Sequence, residues 1–247
     1  FVSQVPGLIK RKGAIAMHGP INRRLSAKDF VYFEIKKRII EGVLEPDQSI
    51  NEESLASELN ISRTPIREAM QRLEIEELIV RLPNGRLKVA PVSVQEVEEL
   101  FTVRSLLEGL VAREAAIKAK EDDIQTLRRL TEQIVKAYED DRREDVVFYG
   151  SEFHSYLYQI SGNKTATKML NQLKDHISRY RRIGPTRNYE RSRKAAEEHQ
   201  AMFEAIANRD PALAEQLMRE HIKNSMEAAV QSIKEILQND SNAEEDR

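Results

Sequence analysis

From residue 92 to residue 184 the chain carries no proline, and through that stretch apolar residues return every three or four positions. Proline inside a helix removes a hydrogen bond and clashes with the preceding turn, so its absence together with a 3.6-residue period predicts helix after helix. Their apolar stripes can be buried only by packing helix on helix. The spacing predicts helices near 94–119, 123–140, 144–161, 164–182, 189–208 and 210–237, broken at "KAKEDD", "DDRRED", "SGNK", "IGPTRN" and "ANRDPA". Asp210-Pro211 reads as an N-cap followed by proline at the first helical position. Residues 93–238 thus form an all-α six-helix bundle with its own core. The closing "QNDSNAEEDR" is polar and acidic, and residues 239–247 are expected to be a disordered tail.

The front of the chain follows another pattern. Residues 27–41 read as a helix capped by Ser26, with Phe30, Phe33, Ile35, Ile39 and Ile40 at helical spacing. Gly42 and Pro46 end it. "NEESLASELN" is a short second helix with Leu55, Ala56 and Leu59 inward, and Asn60-Ile61 a tight connection to a third. In that third helix Ser62 or Thr64 is the N-cap, Pro65 sits in the first turn, and Ile66, Ala69, Met70, Leu73 and Leu78 make the buried stripe. Two β-rich runs follow, near 79–82 and 86–90, around the turn signal Pro83-Asn84-Gly85. Three helices and a small hairpin over residues 26–92 describe a winged helix-turn-helix, so the expected fold class is mainly α.

Charge divides along the same line. Residues 1–91 hold 15 Lys and Arg against 12 Asp and Glu, and the remainder 24 against 29. There is no Cys, which removes disulfides, thiolate metal sites and thiol nucleophiles, and suits a reducing cytoplasm. No apolar run reaches the length of a membrane span. The opening "FVSQVPGLIKRKGAIAMHGP" is a poor signal peptide, and residues 1–25 are expected to be a flexible arm or an appended remnant.

The third helix concentrates chemistry at its exposed start. Arg63, Arg67 and Gln71 follow at steps of four with Ser62 and Thr64 beside them. Backbone N–H groups at a helix N-terminus attract phosphate, and Arg forks match guanine edges in the major groove. Gly85 at the hairpin tip lets backbone approach phosphate, with Arg86 next to it. A solvated polar helix start would look similar on spacing alone; the flanking helices and hairpin favour duplex DNA.

The stretch "IKKRIIEGVLEPDQSINEESLASELNISRTPIREAMQRLEIEELIVRLPNGRLKVAPVS" resembles the DNA-binding domain of the GntR superfamily of bacterial transcription regulators, with "SRTPIREAMQRL" its most specific part. "VRSLLEGLVAREAA", "FHSYLYQISGN", "EEHQAMFEAIANRD" and "AEQLMREHI" resemble the FadR-like effector domain abbreviated FCD. The resemblance covers about residues 27–237. It implies that Ser62, Arg63, Thr64 and Arg67 touch DNA and that Gly85 is the wing tip. At Glu53, where some relatives carry a DNA-contacting arginine, this chain has an acid. A single winged module buries little surface, so a homodimer reading a palindromic operator is expected.

His154, His199 and His221 each lie on the apolar stripe of a different predicted helix, whereas His18 lies in the arm. Three inward imidazoles can converge as a Zn or Ni site, or each can be a satisfied core histidine. In many FCD relatives a metal is held by an Asp and a His one turn apart and by two more His on later helices, and the three His match His154, His199 and His221. Here the Asp position is Gly150, which offers no ligand. The resemblance therefore leaves three outcomes: a three-His site completed by water or effector, a site rescued by another group such as His176 or Asp175, or no metal. Glu152 and Glu198 read as pointing to other faces of their helices. Arg104 matches an arginine that the family keeps at the start of its effector domain, and also stands one turn from Glu108, an ordinary ion-pair spacing. Arg104, His154, His199 and His221 are the candidate effector-binding residues for a small carboxylate.

Two function classes follow. One is a ligand-responsive transcription regulator, read as a repressor. The other is an all-helical metal-dependent enzyme using three His and a bound water. Against the enzyme, no HExxH occurs, no placed general base is evident, and the basic helix corner would have no purpose.

Overall fold

The structure, a computed structural model, describes residues 26–183 and 189–245. The expected N-terminal arm, with His18, lies outside them. The described residues form α1 (Ala27–Ile40), β1 (Ser49–Ile50), α2 (Glu52–Leu59), α3 (Arg63–Ile75), β2 (Ile79–Arg81), β3 (Leu87–Val89), α4 (Val94–Lys118), α5 (Glu121–Glu139), α6 (Arg143–Ser161), α7 (Lys164–Ile183), α8 (Tyr189–Ala207) and α9 (Pro211–Glu245). The fold is a three-helix winged unit followed by an all-helical bundle.

Each half has its own core. In the winged unit Ile66, Met70 and Leu73 of α3 pack with Ile35 and Ile39 of α1 and Leu55 of α2. Full burial of side chains this size contributes about 1.5–3 kcal/mol each. Ser26 caps α1 by accepting from Asp29 N–H, and Asn51 caps α2 by accepting from Glu53 and Ser54 N–H. Asn60 adopts a left-handed conformation, φ 52°, which turns the chain between α2 and α3. The sheet is antiparallel in the order β1-β3-β2, with Lys88 opposite both Ser49 and Val80. In the bundle α4 lies along α9 and touches α6, α7 and α8. Asp210 accepts from Leu213 N–H ahead of Pro211, as the Asp-Pro pair predicts.

Four details differ from the sequence reading. The buried face of α1 is Val31, Tyr32, Ile35 and Ile39, while Phe30 and Phe33 are exposed. Four consecutive apolar or aromatic residues, Phe30 to Phe33, leave the helical phase open, and packing decides it. Strand β1 is two residues long, too short for any alternation to register. Helix α5 begins at Glu121 because Asp123 accepts from Lys120 N–H. Helix α9 continues through Glu245, where a disordered tail was expected from 239. No Gly or Pro follows Pro211 to stop it.

Candidate functional site

The first candidate surface is the corner where α3 begins. Ser62, Arg63, Thr64, Arg67 and Gln71 are all exposed. Ser62 occupies the N-cap position, its hydroxyl makes no capping bond, and the residue is exposed at this corner. Gly85 sits at the turn with φ +80°, a conformation that suits glycine, and no atom lies within 4 Å of where a Cβ would stand. Asn84 Oδ1 accepts from the N–H of Arg86, which is exposed beside it. Arg81 braces this wing to α3: its guanidinium bonds the Glu74 carboxylate at 2.9 Å and the Gly85 carbonyl at 3.3 Å. Nothing in the sequence marks Arg81, because its partners depend on how the hairpin folds back.

Two acids from the first turn of α2 face this corner. Arg63 pairs with Glu53, and Arg67 Nε stands 3.5 Å from Glu52 Oε2. Both pairs are solvent-exposed or nearly so, and such pairs are weak. They orient the guanidinium groups without consuming them. They also lower the local positive potential that non-specific phosphate binding needs.

The second candidate site lies inside the bundle. His154 of α6, His199 of α8 and His221 of α9 are each nearly fully buried, and one ligand atom from each lies within 4.8 Å of the others. His154 Nε2 and His221 Nε2 are 3.3 Å apart. Every Nδ1 faces an acceptor: Glu108 Oε2 for His154 at 3.0 Å, the Ala195 carbonyl for His199 at 2.7 Å, and Glu198 Oε2 for His221 at 2.6 Å. Donation from Nδ1 fixes the tautomer and presents Nε2 inward. Glu108 is buried, which alone would raise its pKa, but His154 and the Arg104 guanidinium hold it well below the usual carboxylate range. Glu198 behaves alike: burial works to raise it, and His221 and Arg191 bring it below the ordinary value. Burial in turn pushes His221 down, so the imidazole is neutral beside an ionised carboxylate.

This arrangement fits a divalent metal. With both Nδ1 protons committed to carboxylates, His154 and His221 direct Nε2 lone pairs at one another, an arrangement that a cation between them relieves. Two imidazole nitrogens on a tetrahedral metal, at about 2.0–2.1 Å from it, stand about 3.3 Å apart. Gly150, buried on α6 one turn before His154, adds no ligand. The alternatives raised for the fourth position lie elsewhere: His176 bonds Glu96 and the Glu76 carbonyl, and Asp175 pairs with Lys36. Glu198, which the sequence reading pointed away from the site, is part of it, and also accepts from Asn224. It lies a quarter turn from His199 on α8, and α9 approaches on that flank.

A cleft opens on His154. Its walls include Arg104, Ser151, Ser155, Tyr158 and Lys174, with Leu170 and Ile177 as the apolar part. Its core offers about 40 Å³, room for a few waters. Arg104 pairs with Glu108 at 3.2 Å and also lines the cleft. Tyr158 donates to the other side of Glu108 at 2.7 Å. Of the four candidate effector residues, Arg104 and His154 line the cleft, while His199 and His221 are not among the residues that line it. Lys174 and the three serines of this wall, Ser178 being the third, had no signal in the sequence. They occur on polar helix faces where nothing distinguishes a lining residue from a solvated one.

Comparison with known proteins agrees with this division. Residues 27–89 match the gntR family of bacterial regulatory proteins, and residues 99–224 match the FCD domain. The chain is 27% identical over 197 residues to an uncharacterised HTH-type transcriptional regulator, YdhC, of Bacillus subtilis (strain 168), covering 79% of this chain and 88% of that one. It is 26% identical over 227 residues to the HTH-type transcriptional repressor RspR of Escherichia coli (strain K12), covering 90% and 92%. Among solved structures, E. coli McbR/YncC superposes with a TM-score of 0.67 at 22% identity, over 84% of this chain and 98% of that one.

Proposed function

The chain belongs to the GntR family of bacterial regulatory proteins and carries an FCD domain, and from that premise we propose that it is a cytoplasmic repressor whose grip on a palindromic operator is set by a small carboxylate metabolite. It is a transcription regulator rather than an enzyme. The observation that carries the effector half of the reading is the cation pair Arg104 and Lys174 on the wall of a hydroxyl-lined cleft that meets His154. Two cations in a confined site suit a carboxylate, and Ser151, Ser155 and Tyr158 suit hydroxyl groups beside it. A metal on His154, His199 and His221 would add a Lewis-acidic anchor; imidazole donors favour Zn or Ni over Mg.

The DNA half rests on the exposed corner of Ser62, Arg63, Thr64, Arg67 and Gln71, with Gly85 and Arg86 at the wing. A helix entering the major groove by its N-terminus presents such a face. A single winged unit buries little surface, so a two-fold dimer reading two half-sites is expected. Support for the dimer comes from α4, where Val103, Leu106, Leu110 and Ile117 are 49%, 52%, 38% and 59% exposed along one face. An exposed apolar row of this kind suits an interface, and a second copy of the chain would cover it self-complementarily.

The test is selection of duplexes from a random pool by the untagged protein. Enrichment of a palindrome, and its loss in the Arg63→Ala, Arg67→Ala double variant, is the expected result. Each arginine that reads a base edge should contribute about 1–3 kcal/mol. Unchanged enrichment by the double variant would remove α3 as the reading element.

A further inference from the structure

Helix α7 belongs to both halves of the molecule. One face supplies Leu170, Lys174, Ile177 and Ser178 to the cleft. The other meets the winged unit: Asp175 pairs with Lys36 of α1 at 2.5 Å, and Arg179 Nη2 donates to the Ala90 carbonyl at 2.6 Å. Between them stands His176. Its Nε2 lies 2.9 Å from the carbonyl of Glu76, the residue that closes α3, and its Nδ1 lies 3.3 Å from Glu96 Oε1 of α4.

Both partners are acceptors. A neutral imidazole has one N–H and one lone pair, and only the doubly protonated ring donates to a carbonyl and a carboxylate at once. Its positive charge also sits at the C-terminal end of α3, where a helix dipole favours a cation. The surrounding groups are Glu96 on α4, the Glu76 carboxylate, Lys36 on α1, and Asp175, Arg179 and Tyr180 on α7 itself. Glu96 also accepts from Tyr180 at 2.7 Å, and Glu76 takes Lys36 and Tyr32, both at 2.7 Å, so the carboxylates are held in place.

We propose that His176, as an imidazolium, is a positioning residue for DNA binding that ties the C-terminal end of the recognition helix to the effector domain, and that the tie loosens when the ring loses a proton, since a neutral ring donates to only one of the two acceptors. The inference rests on the regulator reading above. The bond to Glu96 raises the pKa of His176, against burial, which lowers it. A group whose pKa is raised by docking stabilises the docked state at low pH. That contribution is lost as pH rises through the docked value. The relevant window therefore begins at the ordinary imidazole value and extends upward to the raised, docked one.

The test uses the full chain in two arms. Without DNA, ring ¹⁵N and ¹H resonances should show His176 keeping both N–H protons at a pH where a free imidazole has lost one. With the duplex selected by wild type, operator affinity should change across the window by up to about tenfold for each unit separating docked and released pKa values. His176→Gln, which cannot titrate, should flatten that change, and His176→Arg should hold the low-pH behaviour throughout. A ring that titrates at the ordinary value, or a Gln variant that keeps the wild-type pH profile, overturns the proposal. Failure of wild type to select any duplex would count against the regulator reading, and the ring titration would still decide the latch.

Discussion

At the scale of residues, the candidate metal site turns on one absence and two acids. Gly150 removes the carboxylate that family resemblance places one turn before His154, so a bound ion keeps an extra open position for water or effector. Gly150→Asp should restore that ligand, because positions 150 and 154 share a helix face. Metal titration of the untagged protein should show tighter binding in the variant. In both proteins affinity should fall with acidity as imidazoles protonate. Equal affinity in the two would mean that position 150 does not face the ion. The three histidines were legible because each repeats an apolar stripe. Glu108 and Glu198 were not, since a buried acid on a helix looks like a surface acid until its neighbour helix is placed. Glu198 illustrates the limit: helical phase put it off the His199 face, yet it faces α9 and bonds His221.

At the scale of elements, α4 does most of the organising. Its inner face carries Phe101, Arg104, Glu108 and Ala112 into the bundle, and its outer face carries the apolar stripe from Val103 to Ile117. Charge placed in the middle of that stripe should separate the protomers without touching the core. Leu106→Glu with Leu110→Glu should give a monomer by analytical ultracentrifugation, with helical circular dichroism unchanged and operator affinity much reduced. A dimer in the double variant would move the interface elsewhere. The helices of the bundle were readable from period and breaks, to within about two residues at each end except the C-terminal end of α9. What period missed were features set by one or two contacts: the two-residue β1, the phase of α1 among four successive apolar residues, and the two residues by which Asp123 extends the start of α5. The length of α9 was missed for a different reason. A polar composition was read as disorder although nothing in it stops a helix.

At the scale of the whole molecule, two hydrophobic cores are joined by polar contacts instead of a shared apolar seam. Lys36, Glu76 and Ala90 of the winged unit meet Asp175, His176 and Arg179 of α7, and Glu96 of α4 holds the other side of His176. Such contacts can be remade in a second arrangement at modest cost, which is what control of one half by the other requires. The cleft shares α7 with this junction, so a ligand that wedges the cleft wider acts on a helix that holds the winged unit. The cleft as it stands has room for a few waters only, and a carboxylate of metabolite size must displace part of its wall. A ligand that binds one arrangement better shifts the balance by that difference in affinity, typically five- to about 150-fold in such couplings.

The most direct test is the response of operator affinity to a panel of small hydroxycarboxylates in wild type and in Lys174→Met. Lys174 is exposed, so its loss should leave the fold and the affinity in the absence of ligand intact. At least one carboxylate should weaken wild-type operator binding, and the variant should need about tenfold more of it for the same effect. No response to any carboxylate, or the same concentration dependence in both proteins, would contradict control of DNA binding from this cleft.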